Sequence, residues 1–149
     1  MTINLNGQML LHWVYYLPVQ FWAWHHWTRG DAGGELRVSV LSWTHRIICL
    51  SAIGVTTIVV GLVLESAWDN SLYTYWDASI VAASIVAMIL LAQKRVESWI
   101  LWILPVNLSA IALYSLTGAY MFAALYCLFL VMAFVGLVRW IKAHGEHSA

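Results

Sequence analysis

Five long apolar stretches constrain the fold of this chain more than any other feature of its sequence. They cover residues 9–27, 42–64, 76–93, 96–116 and 119–141. A helix needs about 20 residues to cross the hydrocarbon of a bilayer, and each stretch approaches that length. Only 9% of the residues are charged, against about a quarter in an average soluble domain. The sequence therefore predicts an all-α membrane protein, in which residues 1–149 form a single membrane domain with five transmembrane helices in a lipid bilayer.

Basic residues fall on one of the two sides that alternating helices define. They lie after the first helix, after the third helix or near the C-terminus: Arg29, Arg37, Arg46, Lys94, Arg95, Arg139 and Lys142. Short loops rich in lysine and arginine stay in the cytoplasm. We therefore predict a multi-pass protein of the cytoplasmic (inner) membrane, with its N-terminus outside and its C-terminus in the cytoplasm. The formal net charge is zero, so nucleic-acid binding has no electrostatic support.

The fourth stretch carries side chains that are difficult to place in hydrocarbon, in the sequence ESWILWILPVNLSA from residue 97. Trp99 and Trp102 are three residues apart, and Ser109 returns to nearly the direction of Trp102 on a regular helix. Pro105 removes a backbone N–H and disturbs the helix. Asn107 follows it with an amide. Such a wall suits a flat ligand with a polar rim.

The same residues also have a purely structural interpretation. Trp99 and Trp102 lie close to the turn formed by Lys94 and Arg95, where an aromatic belt would place them. Asn107 could join neighbouring helices by hydrogen bonds. The residues alone leave both interpretations open.

The first stretch offers a second candidate wall. Trp13, Tyr16 and Gln20 follow the spacing of one helix face, so a ligand could lie between this face and the fourth helix. The alternative is a packed aromatic interface in which Gln20 joins two helices.

The histidines raise a different class of function. His12 precedes His25 and His26 by 13 and 14 residues, a separation that could serve two stacked haems. That scheme needs a matching pair on a second helix, and the sequence does not offer one. The alternative function is therefore a non-transport membrane subunit that binds haem or quinone, whereas the main interpretation requires no cofactor and no metal. The remaining histidines are His45, His144 and His147.

The carboxylates lie at helix ends or in loops. Asp77 stands at the outer entrance of the third helix, where it could act as an N-cap or as a gate residue. Glu97 opens the fourth helix and complements the helix dipole. No carboxylate lies near the membrane midplane, where a proton- or sodium-coupled pump needs an ionisable relay. No nucleophile–base pair or phosphate-binding loop is present either, so the sequence favours downhill transport and predicts no enzymatic activity.

Residues 75–126 and the segment GLVRW at 136–140 resemble the C-terminal half of the PnuC nicotinamide riboside transporters. Residues 10–27 resemble the last helix of that family's first repeat, with Gln20 where an amide residue is usual. The features that carry the resemblance are Trp76-Asp77 at a helix start, the Lys94/Glu97 turn, the Trp99-x-x-Trp102 pair, Asn107, Ser109, Tyr114 and the Gly118–Tyr120 turn.

The resemblance implies two three-helix repeats joined by a linker helix, in a parallel-repeat architecture like that of the SWEET sugar transporters. Residues 9–27 would be the last helix of the first repeat, 42–64 the linker helix and 76–141 the second repeat. It implies facilitated diffusion of nicotinamide riboside, a vitamin B3 precursor, or of thiamine or riboflavin, by a homotrimer. The implied substrate-binding residues are Trp99, Trp102, Asn107, Gln20, Trp13, Tyr16, Tyr114 and Ser109, with Asp77 as a candidate gate.

Two departures from the family pattern affect these expectations. The family has about seven helices, of which two would precede residue 1. We therefore expect a fragment or short form, or a cavity that neighbouring copies complete. In the family the asparagine follows the second tryptophan by four residues, whereas Asn107 follows Trp102 by five. One residue is about 100° of helix rotation, which would turn the amide away unless a kink at Pro105 restores it.

Overall fold

The computed structural model describes residues 17–29, 36–67 and 72–146. A π-helical segment, Trp102–Leu108, connects two short helices, so that Glu97–Leu116 is one continuous helix, which we call the composite helix. The α-helices are α1 (Leu17–Arg29), α2 (Trp43–Ala67), α3 (Leu72–Ala92), α4 (Glu97–Leu101), α5 (Ser109–Leu116) and α6 (Tyr120–Glu146).

Four helices in the described part of the chain are long and apolar enough to cross a membrane. They span Trp43–Ser66, Thr74–Ala92, Glu97–Leu116 and Tyr120–Glu146, and they match the second to fifth predicted helices. The predicted all-α membrane class is thereby confirmed. α1 supplies the end of the first predicted helix, whose earlier residues lie outside the described ranges.

α3 lies at the centre of the bundle, with α1 and α2 packed on it and the composite helix between it and α6. Its interior face is rich in small side chains, since Ala78, Ala82, Ala83 and Ala87 are all fully buried. Small residues let helix backbones approach closely, which is how helices associate in lipid without a hydrophobic driving force. α2 and α6, which are largely exposed, present leucine, isoleucine, valine and phenylalanine outwards, as lipid-facing helices do.

α3 begins earlier than the sequence pattern predicted, at Leu72 instead of residue 76. Asp77 is consequently the sixth residue of the helix, and its side chain is exposed. An N-cap must precede the first helical N–H groups, which a side chain in the second turn does not do. The predicted N-cap role of Asp77 is therefore wrong.

Backbone hydrogen bonds tie the segment before α2 to the turn between α3 and α4. The Ser39 N–H donates to the carbonyl oxygen of Lys94 at 3.1 Å, and the Val96 N–H donates to the carbonyl oxygen of Ser39 at 3.0 Å. Lys94 has a φ of 51°, so it takes the left-handed conformation that closes this turn. Two clusters of basic residues that are far apart in the sequence thus lie side by side.

The ends of α1 and α6 reach the same place. The indole N–H of Trp27 donates to the carbonyl oxygen of Ala92 at 2.8 Å, and Nδ1 of His144 lies 3.1 Å from the carbonyl oxygen of Val38. All seven lysines and arginines therefore belong to one end of the bundle, which we call the basic end. The opposite end carries Glu65, whose carboxylate accepts a hydrogen bond from the Tyr75 hydroxyl at 2.6 Å.

Candidate functional site

The composite helix changes its hydrogen-bonding pattern around Pro105. Over Trp102–Leu108 the bonds span five residues instead of four. Pro105 has no N–H to donate to Leu101, and its ring would press against that carbonyl in an α-helix, so the wider turn accommodates it. The backbone stays right-handed helical on both sides, with φ and ψ of −65° and −39° at Leu101 and −65° and −41° at Ser109. The helix is widened at this point and not broken.

This π turn alters which side chains share a face. Residues four apart align in an α-helix, whereas residues five apart align across a π turn. Asn107 follows Trp102 by five residues, so the turn brings the amide back to the side of Trp102. Ser109 is seven residues after Trp102. Seven residues make about two turns of an α-helix but fewer across a π turn, so the half-buried Ser109 side chain does not point in the direction predicted for it.

Asn107 has two buried polar atoms without a partner among the described residues, whereas Glu97, Ser98, Trp99 and Trp102 of the composite helix each have one. Asn107 is 1% exposed, and the two atoms are its amide nitrogen and its amide oxygen. A buried polar group without a partner costs about 1–3 kcal/mol. The described helices thus supply nothing that Asn107 could join by a hydrogen bond, and the amide is available to a ligand or to residues outside the described ranges.

Trp102 lies on the same side and combines an apolar wall with an unused donor. Its half-buried ring packs against a cluster of fully buried side chains, and its buried indole N–H has no partner within the described ranges. Stacking on one face and a hydrogen bond at the edge are what an indole offers to a flat ligand. The cluster consists of Ile80, Ala83, Val106, Ala110 and Leu113.

Further aromatic rings pack against this cluster or beside it. Tyr114 contacts the cluster and stacks on Tyr126, with ring centroids 5.6 Å apart, and lies 5.5 Å from Phe122. Trp76 and Tyr126 pack against it as well. The structure thus brings the predicted Tyr114 to the neighbourhood of Trp102. Tyr126 was missed by the sequence analysis because no spacing rule links α6 to the composite helix.

Trp99 has different neighbours. Its ring meets Trp140 edge-to-face, with centroids 5.3 Å apart, and covers Gly136, where an added Cβ would lie 2.5 Å from the indole. Trp140 in turn contacts Trp27 at 6.4 Å, and the Lys94 ammonium lies 5.3 Å from the Trp27 ring. Trp99 therefore belongs to a group of edge-to-face aromatic rings that joins α6 to the basic end, whereas Trp102 packs against the cluster of buried side chains, which we call the core cluster.

Glu97 joins two spans by an ion pair. Its Oε1 accepts hydrogen bonds from Arg46 Nη2 at 2.8 Å and Nε at 3.2 Å, and from the Leu41 N–H at 2.9 Å. The sequence analysis assigned Glu97 only to the helix dipole. A partner 51 residues away carries no local signal, so the link between α2 and the composite helix was missed.

The remaining predicted site residues are not gathered at Asn107. Gln20 is exposed on α1, and α1 packs on α3 and not on the composite helix. Asp77 is exposed towards the end opposite the basic end. Trp13 and Tyr16 lie outside the described residues, so their predicted wall stays a prediction.

The described part of the chain also bears on the haem alternative. His26 stacks on Trp22 at 5.7 Å, and His45 Nδ1 lies 2.7 Å from Ser42 Oγ. No group of three or more metal-binding side chains occurs within the described ranges. His12 and His147 fall outside those ranges.

A pocket of about 240 Å³ lies near the basic end, between α2, α3 and the composite helix. None of the predicted substrate-binding residues lines it. Its walls are Leu41, Arg46, Cys49, Leu50, Leu90, Glu97, Ile100 and Leu101.

Comparisons with known proteins agree with the resemblance seen in the sequence. The family described as nicotinamide mononucleotide transporter matches residues 1–142. The nicotinamide riboside transporter PnuC of Escherichia coli strain K12 is 25% identical over 99% of this chain and 71% of its own length. The protein of the same name from Neisseria mucosa is 27% identical over 99% of this chain and 59% of its own length.

A solved structure is similar as well. The crystal structure of the vitamin B3 transporter PnuC superposes with a TM-score of 0.71 and 25% identity, over 97% of this chain and 65% of the crystallised one. The chain thus spans about two thirds of the relatives that it matches. Since the family match extends over nearly its whole length, the chain belongs to the nicotinamide mononucleotide transporter family, which includes the PnuC proteins.

Proposed function

We propose that this chain carries nicotinamide riboside across the cytoplasmic membrane by facilitated diffusion. The observation that carries the proposal is the fully buried Asn107 amide, which has no partner among the described residues and lies on the same side as the indole of Trp102. The nicotinamide ring of the riboside is a flat, positively charged pyridinium that bears a carboxamide. Its ring can stack on an indole, which also attracts cations, while its carboxamide exchanges two hydrogen bonds with an asparagine amide.

The charges of the described residues favour the riboside over the mononucleotide. A phosphate monoester carries about −1.5 to −2 charges at neutral pH, and burying it without a cationic partner is unfavourable. The basic residues belong to the basic end, and the hydrogen-bonded partner of Arg46 is Glu97. The side chains of the core cluster, against which Trp102 packs, are all apolar.

Downhill transport agrees with the positions of the described carboxylates. Glu65, Asp77, Glu97 and Glu146 all lie close to the ends of their helices. A coupled pump needs an ionisable relay near the midplane. Trapping of the product in the cytoplasm would then maintain the gradient.

The architecture belongs to the same proposal. α1 would be the last helix of a first repeat, α2 the linker helix and α3 to α6 the second repeat, with Gln20, Trp13 and Tyr16 on the opposite wall of the cavity and Asp77 as a gate. The contact between Trp27 near the end of α1 and Trp140 near the end of α6 supports this correspondence. The basic end would face the cytoplasm, which places the N-terminus outside and the C-terminus inside. Assembly as a homotrimer is carried over from the resemblance.

Ligand binding to the purified chain tests the proposal. Isothermal titration in detergent compares nicotinamide riboside with nicotinamide mononucleotide, thiamine and riboflavin. We expect measurable binding of the riboside and at least tenfold weaker binding of the mononucleotide, as an uncompensated phosphate would cost more than about 1.4 kcal/mol. Preference for thiamine or riboflavin, or binding of none of the four, would overturn it. A Soret band in the visible spectrum would instead support the haem-binding alternative.

A further inference from the structure

We propose that the π turn at Pro105 is a register device for the substrate site: it absorbs one residue, and substrate binding depends on the alignment of Asn107 with Trp102 that results. The proposal rests on the proposed function for its ligand. Its geometric part concerns the chain alone and can be tested without any substrate.

The exposed stripe of the composite helix gives independent support. Ile100, Leu104, Leu108 and Ala112 are all exposed at intervals of four residues. In an unbroken α-helix twelve residues would rotate the last position by about 120° from the first, and the stripe would leave the lipid-facing side. One residue absorbed by the π turn reduces that rotation to about 20°.

The two halves of the composite helix therefore face the directions that they would face in an unbroken α-helix with one residue fewer. α4 holds Trp99 against Gly136, and α5 holds Ala110 and Leu113 in the core cluster. The segment between these two sets of contacts is one residue too long for an unbroken α-helix. The π turn accommodates that residue, so both sets of contacts can form at once. The extra residue lies between Trp102 and Asn107, the two groups assigned to the ligand.

A deletion and an insertion test this directly. Removing Pro105 should convert the π turn into an α turn while leaving both halves in place, so that nicotinamide riboside binds within about threefold of the parent. Inserting an alanine between Leu104 and Pro105 adds a second extra residue and turns Asn107 by about 100° away from Trp102, so binding should weaken more than tenfold. Loss of binding in a folded Pro105 deletion, or unchanged binding in the folded insertion variant, would overturn the proposal.

A pair of histidines tests the register without substrate. Histidines on one helix face chelate a divalent metal, so Trp102→His with Asn107→His should bind Ni²⁺ at least about tenfold more tightly than Ile111→His with Leu116→His, a pair that is also five residues apart but lies within the α-helical part. Metal bound by the unsubstituted chain is subtracted. After deletion of Pro105 the first pair becomes four residues apart and should still bind. Tighter binding by the second pair in the parent would refute the register. If the parent binds no riboside but the first pair holds Ni²⁺, the proposed function fails and the register stands.

Discussion

Replacing Asn107 by leucine should make the protein more stable and inactive at once. The amide is 1% exposed and both of its polar atoms lack partners among the described residues. An unpaired buried amide costs about 1–3 kcal/mol, and leucine has the same branched arrangement of side-chain heavy atoms without that cost. We expect the free energy of unfolding to rise by about 1–3 kcal/mol. Binding of nicotinamide riboside should be lost, because the hydrogen bonds to its carboxamide disappear.

Thermal and denaturant unfolding in detergent measures the first effect, and titration with nicotinamide riboside measures the second. Riboside at a hundredfold its dissociation constant should stabilise the parent by about 2.7 kcal/mol and leave the variant unchanged. Ser109→Ala is the matched control, since Ser109 is half-buried and lies off the side of Trp102. A clear loss of stability in Asn107→Leu would refute the reasoning, because it would mean that the amide already has a structural partner and joins helices.

Three further predictions concern Trp102 and the contacts that hold the composite helix in the bundle. Trp102→Ala should weaken riboside binding by about 1–3 kcal/mol, because the ring stacks on the ligand. The control Trp43→Ala, at the exposed first residue of α2, should leave riboside binding unchanged. Equal effects of the two substitutions would exclude stacking. Gly136→Ala places a Cβ 2.5 Å from an indole and should lower the unfolding free energy by about 1–3 kcal/mol, while Gly54→Ala, with open space around it, should not; equal melting temperatures would contradict the packing described. For Arg46→Ala and Glu97→Gln, a double-mutant cycle on stability should give a coupling of about 1 kcal/mol, since the arginine side chain is 38% exposed, and additive effects would show that the ion pair contributes nothing.

The membrane fold could be predicted from the sequence because lipid leaves few alternatives. A stretch of about 20 apolar residues can satisfy its backbone in hydrocarbon only as a helix or in a closed barrel. The basic residues likewise indicated their common end through loop position alone. The start of α3 at Leu72 was missed because the residues before Trp76 are less apolar than those after it, although residues 72–75 form the first turn of the helix.

The candidate site could be predicted only in part. Pro105 indicated a disturbance of the helix. Whether the helix kinks or forms a π turn depends on how its two halves pack, and a local sequence pattern does not predict that packing. The division between Trp99 and Trp102 depends on Gly136, a residue that leaves room for an indole from another helix. Tertiary contacts of this kind decide which of the two tryptophans is free to face a ligand, and the sequence pattern does not distinguish them.

A structure of the chain with nicotinamide riboside bound tests the central claim most directly. We expect the carboxamide within about 2.7–3.2 Å of both polar atoms of Asn107, with the pyridinium ring against the indole of Trp102. A ligand bound elsewhere, for example in the pocket beside Arg46, with Asn107 bonded to another part of the protein, would contradict it.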